Sequence, residues 1–228
     1  MKLRILLPAA VFFAAGIITG YAARQTRDEA AFSPAAAHSV VLDAGHGAPD
    51  GGAVGENGTV EKDINLAITQ MTGEVLEGMG WRVIYTRTGD NGIYESGDSI
   101  REMKVNDMKK RREIMSDSGA DLFVSIHMNS FENASASGLH IFYSGAHEEI
   151  RPLAEAMQER IAAVTGAKTH AVKTVSESLF LMKSPPLPCI LAECGFLSNP
   201  DEERLLRDEN YQSRIAWAVA VSVMEHFK

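Results

Sequence analysis

Four side chains of this 228-residue sequence are of the types, and in the places, that hydrolytic metal chemistry uses: His46, Glu61, His127 and Glu193. His46 closes Val40-Val41-Leu42-Asp43-Ala44-Gly45-His46-Gly47, a strand-like stretch that delivers an imidazole into a glycine-rich loop. His127 closes a second apolar stretch within Ser125-Ile126-His127-Met128-Asn129, and Glu61 stands at the mouth of the helix that follows the glycine loop. Two neutral imidazoles and one carboxylate are donors for an open zinc site, which leaves the fourth tetrahedral position to water. Sets of four cysteines, or of two cysteines with two histidines, close the ion off and serve structure only. Each residue alone has a plainer role. A strand-end histidine is more often just a polar residue, Glu61 suits the first turn of a helix through the dipole, and a glycine loop can cradle phosphate. The loop lacks the Gly-x-x-x-x-Gly-Lys-Ser/Thr spacing of a P-loop, and the chain has no His-Glu-x-x-His helix.

Glu193 differs in kind. It follows Pro188-Cys189-Ile190-Leu191-Ala192, an apolar run in which a carboxylate loses its water and must be paired, metal-bound or kept partly neutral. A salt bridge to an arginine would satisfy it. So would work as a general base facing a water on the metal.

These residues need elements to hold them. Residues 39–43 and 121–127 alternate or run apolar as strands do, as do 81–86, 138–143 and 188–194. Ile64, Ile68, Met71, Val75 and Met79 recur at three- and four-residue steps, which predicts an amphipathic helix from Glu61 to about residue 79. Further helices are expected over 99–118, which is strongly charged, over 147–165, and over 211–227 with Ile215, Val219, Val223 and Phe227 on one stripe. Asn199-Pro200 starts a short helix with Asp201, Glu202 and Glu203 in its first turn, where the dipole favours acids. Strands alternating with helices predict an α/β domain with a twisted, mostly parallel sheet, its chemistry at the strand C-terminal ends.

Length supports one such domain, residues 39–228. The net charge of −8 gives no reason to expect nucleic acid as a partner. Lys2 and Arg4 precede an uncharged apolar run over 5–23, so residues 1–23 are expected to be a signal peptide or membrane anchor that places the rest outside the cytoplasm. Residues 24–38 are expected to be a linker. Cys189 and Cys194 lie on one expected strand, about 16 Å apart and on opposite faces. A disulfide needs Cα atoms within about 7 Å. Both are therefore read as free thiols, one in the core and one near the site.

The joint pattern resembles the zinc-dependent N-acetylmuramoyl-L-alanine amidases of the Amidase_3 family. The segments that carry it are Leu42-Asp43-Ala44-Gly45-His46-Gly47, Gly52-Ala53-Val54-Gly55 through Glu61-Lys62-Asp63-Ile64-Asn65-Leu66, and Thr86-Arg87. Ala120-Asp121-Leu122-Phe123-Val124-Ser125-Ile126-His127-Met128-Asn129 and Leu191-Ala192-Glu193-Cys194-Gly195-Phe196-Leu197-Ser198-Asn199 complete it. The resemblance implies a sheet of about six strands flanked by helices, one Zn2+ per chain held by His46, Glu61 and His127, and Glu193 as the catalytic glutamate. Glu61 becomes a ligand only through this match. Ala48-Pro49 departs from the family, which has a second glycine before its aspartate; it lies beside the ligand loop and is not expected to disturb coordination.

Within the family, Asp98-Ser99-Ile100-Arg101-Glu102-Met103-Lys104 through Lys109-Lys110-Arg111-Arg112-Glu113 resembles the germination-specific amidases of spore-forming bacteria. Taken by itself that run is a solvated helix face for most of its Lys and Arg. The resemblance implies action on spore cortex peptidoglycan, removing peptide so that a deacetylase can complete the muramic δ-lactam, and leaves room for an activating protein partner. Asp43 and Asn129 flank the ligands and are candidates to orient them or to touch substrate, as against simple loop hydrogen bonding. His38, His140, His147, His170 and His226 are read as surface or packing residues. Two rival readings remain: a zinc peptidase acting on the stem peptide, and a non-catalytic wall-binding protein, which predicts that one of the four site residues is missing.

Overall fold

In a computed structural model of the chain, residues 38–175 and 180–228 are described. The expected export segment and all of the linker but residue 38 lie outside them. The elements, in chain order, are β1 (Ser39–Ala44), α1 (Glu61–Gly78), β2 (Arg82–Tyr85), α2 (Ile100–Asp117), β3 (Leu122–Asn129) and β4 (His140–Tyr143), followed by α3 (Arg151–Thr165), β5 (Lys173–Thr174), β6 (Cys189–Phe196), α4 (Pro200–Leu206) and α5 (Glu209–His226). Single 3-10 turns occupy Glu148–Ile150 and Phe180–Met182. No helix among the described residues is long and apolar enough to cross a membrane.

The strands form one sheet in the order β2-β1-β3-β6-β4-β5. β2, β1, β3 and β6 are parallel, β4 is antiparallel to β6, and β5 is parallel to β4. This is the mostly parallel α/β sheet the alternation of elements predicts. β3 and β6 both run past their expected ends. Their pairing continues to Asn129↔Phe196 through a register shift after His127↔Glu193, so the polar residues at the tips belong to the ladder. The two-residue β5 and the 180–182 turn carry no sequence period and were not expected.

Side-chain alternation splits the core. Val40, Leu42, Val124, Ile126, Ile190 and Ala192 face α1, α3 and α5, whose Ile68, Met157, Ile161, Ile215 and Val219 are buried against them. Each fully buried aliphatic contributes about 1.5–3 kcal/mol. Val41, Phe123 and Leu191 face the other way, under Met115 of α2 and Leu181 and Met182. Cys194 lies in the first cluster and Cys189 in the second, both buried and free. Burial pushes the Cys189 thiol up to about 12, so it stays protonated. Neither thiol lines the site, which corrects the expectation for one of them: the residue after Glu193 turns its side chain to the opposite face.

Local signals set the helix starts. Ser99 caps α2 by accepting from the Glu102 backbone N–H at 3.2 Å, and Asn199 caps α4 by accepting from Asp201 and Glu202. α3 ends on Gly166, whose φ of 76° is the left-handed closure glycine favours.

Candidate active site

The site forms where the C-terminal ends of β1, β3 and β6 meet the N-terminus of α1. His46, Glu61 and His127 each offer a ligand atom, all within 4.8 Å of one another. Glu61 is the hub. Its Oε2 lies 3.2 Å from His46 Nε2, and its Oε1 lies 3.0 Å from His127 Nδ1. The Ala53 N–H donates to Oε2 at 2.8 Å, while the Met128 N–H and the Asn65 amide donate to Oε1. Burial raises the Glu61 carboxyl, but the His127 and His46 contacts outweigh it and hold the group well below the usual range.

Two glycines let the backbone approach this closely. A Cβ on Gly45 would lie 2.2 Å from His127 Nε2, and one on Gly52 would lie 2.4 Å from Glu61 Oε2. His46 itself has φ of 63°, a left-handed conformation that costs a non-glycine residue about 1–3 kcal/mol. Its carbonyl accepts from Arg111, and its Nδ1 meets Asp50 Oδ2 at 2.9 Å. Lys104 Nζ holds the other Asp50 oxygen at 2.7 Å. A carboxylate on the far nitrogen is how metal-binding imidazoles are oriented. Burial lowers the His46 imidazole, and Glu61 and Asp50 raise it past its ordinary value. Two imidazoles converging on one buried carboxylate, with cradles that a Cβ would fill, fit a divalent cation.

The departure at Ala48-Pro49 leaves this arrangement intact. That peptide is cis, and Ala48 is paired through its backbone to Asp90 and Gly92.

Glu193 stands beside His127 in the sheet register. Its Oε2 is buried with no hydrogen-bond partner. Burial pushes its carboxyl up, the His127 and His46 charges pull down, and Glu61 adds to the rise. No arginine pairs with it among the described residues. A cavity of about 320 Å³ opens over Glu193 and the two histidines, with Tyr94, Met103, Met108 and Met182 on its apolar wall.

Asp43 is buried below the cluster and does not face it as a ligand. It accepts from Thr86 Oγ1 at 2.7 Å, from Ser125 Oγ at 2.6 Å, and from Arg111. Burial raises its carboxyl, and Arg111 with the two hydroxyls more than offsets that. Asn129 turns its amide toward His140 Nδ1 at 3.1 Å, away from the histidine pair.

Three residues had no such role in the sequence reading. Arg111, in a run read as a solvated face, is 1% exposed and ties Asp43, Asp107 and the carbonyls of Ala44 and His46 together. Its signal was Asp107, Arg111 and Met115 at four-residue steps, the buried stripe of α2. Asp50 is the His46 partner described above. Glu203, read as a first-turn acid, is fully buried and clamps the ligand loop: it accepts from the Asn57 N–H and amide and from the Thr59 hydroxyl, two residues before Glu61. Glu202 likewise accepts from Gly138 and Phe196. Backbone N–H groups left over in the loops and at the end of β6 take both carboxylates.

Comparison with known proteins gives this site its family. The profile described as N-acetylmuramoyl-L-alanine amidase, Amidase_3, matches residues 40–225. The chain belongs to the Amidase_3 family. Among its relatives is the germination-specific N-acetylmuramoyl-L-alanine amidase of Bacillus subtilis, 32% identical over 195 residues that cover 85% of this chain and 81% of the relative. AmiA of Escherichia coli is 30% identical over 231 residues, covering 82% and 75%. Among solved structures, the CwlD amidase of Clostridioides difficile in complex with the GerS lipoprotein superposes with a TM-score of 0.80 at 39% identity, covering 83% of this chain and 98% of that one. This Amidase_3 chain is an enzyme, an N-acetylmuramoyl-L-alanine amidase acting on peptidoglycan.

Proposed function

We propose that the chain is exported by its N-terminal segment and is a zinc amidase of spore cortex peptidoglycan. It would cut between muramic acid and L-alanine so that a deacetylase can complete the muramic δ-lactam. The observation that carries the chemistry is the partnerless, buried Glu193 oxygen facing a cavity beside the His46–Glu61–His127 cluster. The cortex assignment is supported by likeness to the germination-specific relative and to CwlD. The latter's complex with a lipoprotein supports an activating partner for this chain too.

His46, Glu61 and His127 would hold one zinc ion. Bound there, the ion supplies Lewis acidity to the scissile carbonyl and lowers the pKa of water. Glu193 accepts a proton from the attacking water, whose oxygen bonds to the lactyl carbonyl carbon. It then returns that proton to the nitrogen of L-alanine as the C–N bond breaks. A carboxyl raised by burial suits both halves of this exchange. Asp50 and Arg111 orient His46, and the apolar wall keeps bulk water from the reacting atoms.

The test is digestion of cortex and vegetative peptidoglycan by the full chain, with and without a co-expressed lipoprotein partner, followed by mass analysis. The expected products are peptides with a free L-alanine N-terminus and muramic acid bearing a lactyl carboxylate, faster on cortex. Fragments cut inside the stem would establish the peptidase reading instead.

A further inference from the structure

The site face does not stop at Glu193. Glu193 is in register with His127 on one side and with His140 of the antiparallel β4 on the other. Residues opposite one another in a ladder project from the same face, with Cβ atoms about 4.5–5.5 Å apart. His127, Glu193 and His140 therefore form one row across three strands. Phe142, two residues on from His140, is in register with Lys173, which puts Lys173 on that face as well. The His170 ring packs on His140 with centroids 4.0 Å apart.

Hydrogen bonding fixes what His140 presents. Asn129 Oδ1 accepts from the Ser130 N–H at 2.9 Å, which directs the Asn129 NH2 to His140 Nδ1 at 3.1 Å. An amide NH2 only donates, so Nδ1 accepts and the ring proton is on Nε2. His170 Nε2 lies 2.9 Å from the Ser137 carbonyl, which only accepts, so that nitrogen also carries a proton. Burial first, then the nearby His170 and Lys173, keeps the His140 imidazole below its ordinary value and hence neutral. Beyond Glu193 the face thus offers an N–H donor and a lysine ammonium, on a chain whose net charge is −8. None of them is used by the metal cluster.

Glu193 hands its proton to the leaving amine, so the released peptide starts at Glu193, and the row continues from there onto β4 and β5. We propose that His140 and Lys173 form a subsite for the free carboxylate on the stem-peptide residue that follows L-alanine. The subsite makes the enzyme discriminate stems that carry this carboxylate from stems in which it is amidated. The proposal rests on the reading of Glu193 as the proton-transfer group.

Two disaccharide tripeptides test it, one with D-glutamate and one with D-isoglutamine at the second position, which differ only in carboxylate against carboxamide. Zinc-loaded full-length enzyme is expected to show a kcat/KM about tenfold higher on the carboxylate form, the size of one charge-assisted contact. In the His140→Phe/Lys173→Gln double variant, which removes the ring N–H and the ammonium, that ratio is expected to fall to about one. Lys109→Gln, which removes an equal charge from α2, is expected to keep the wild-type ratio. Equal rates on the two substrates in the wild type, or a ratio unchanged in the double variant, overturns the subsite. If the same digests show cleavage away from L-alanine, or if Glu193→Gln is fully active, the reading beneath the subsite is what has failed.

Discussion

The two faces of the sheet bury opposite kinds of chemistry. Under α1, α3 and α5 the contacts with the sheet are mainly aliphatic, with Ile68, Ile126, Ile161 and Val219 completely enclosed. The polar groups these helices bury past Glu61, among them Asn65, Thr69, Thr72, Gln158 and Ser222, are uncharged. Under α2 the buried set includes Asp43, Arg111 and Ser125, and Glu193 is left with an oxygen that no group satisfies. One face holds the sheet together by area. The other face spends that stability on polar groups held in fixed places. The contrast repeats inside the site. Glu61 is bonded through both oxygens and titrates low, whereas Glu193, in the next strand to the same histidine, is unbonded at one oxygen and titrates high. Bonding through both oxygens suits the proposed ligand, which must stay charged, and an open carboxylate oxygen beside the histidines suits the proposed proton-transfer group.

The hardest blow to this contrast comes from Glu193→Gln. Hydrolysis is expected to fall by about 10²–10⁴-fold, while the dialysed protein still binds one zinc, measured by elemental analysis. Undiminished turnover would put the proton transfer elsewhere. Next in size is Arg111→Met, which leaves Asp43 buried and unpaired and is expected to cost about 3–5 kcal/mol in urea unfolding. Its acid response sharpens the point. The native Asp43 carboxyl sits below its unfolded value, so its stabilisation is complete above about pH 4 and drains away as pH falls further; in Arg111→Met that acid limb flattens.

Asp50→Asn probes the orienting carboxylate. Zinc affinity by competition with a chelator is expected to weaken about 10–100-fold, with unfolding of the metal-free protein little changed. The smallest effect belongs to the aliphatic face. Ile68→Val is expected to cost about 0.5–1.5 kcal/mol in stability and nothing in activity per folded molecule. Lost activity there would mean the two faces are coupled.

What sequence alone shows follows the same division. Strands and helices were legible because burial on a regular face leaves a period, and β5 escaped because two exposed residues leave none. His46, His127 and Glu193 were legible because each interrupts or ends an apolar run. Glu61 looked like any first-turn acid until the family pattern singled it out. Arg111 was hidden in a charged run because its burial depends on Asp43, 68 positions away, and Glu203 because its partners lie about 146 positions back. Charges that answer one another across such separations have no local signature.

That last pairing has a consequence for chain length. The loop that delivers Glu61 is fastened by a carboxylate near the C-terminus, beyond every residue proposed to face the metal. A polypeptide ending at residue 199 would carry every proposed ligand and the proposed base, and lack the hasp that shuts their loop. Holding the parts and holding them in place are separate properties of this molecule, and only the nearly finished chain has both.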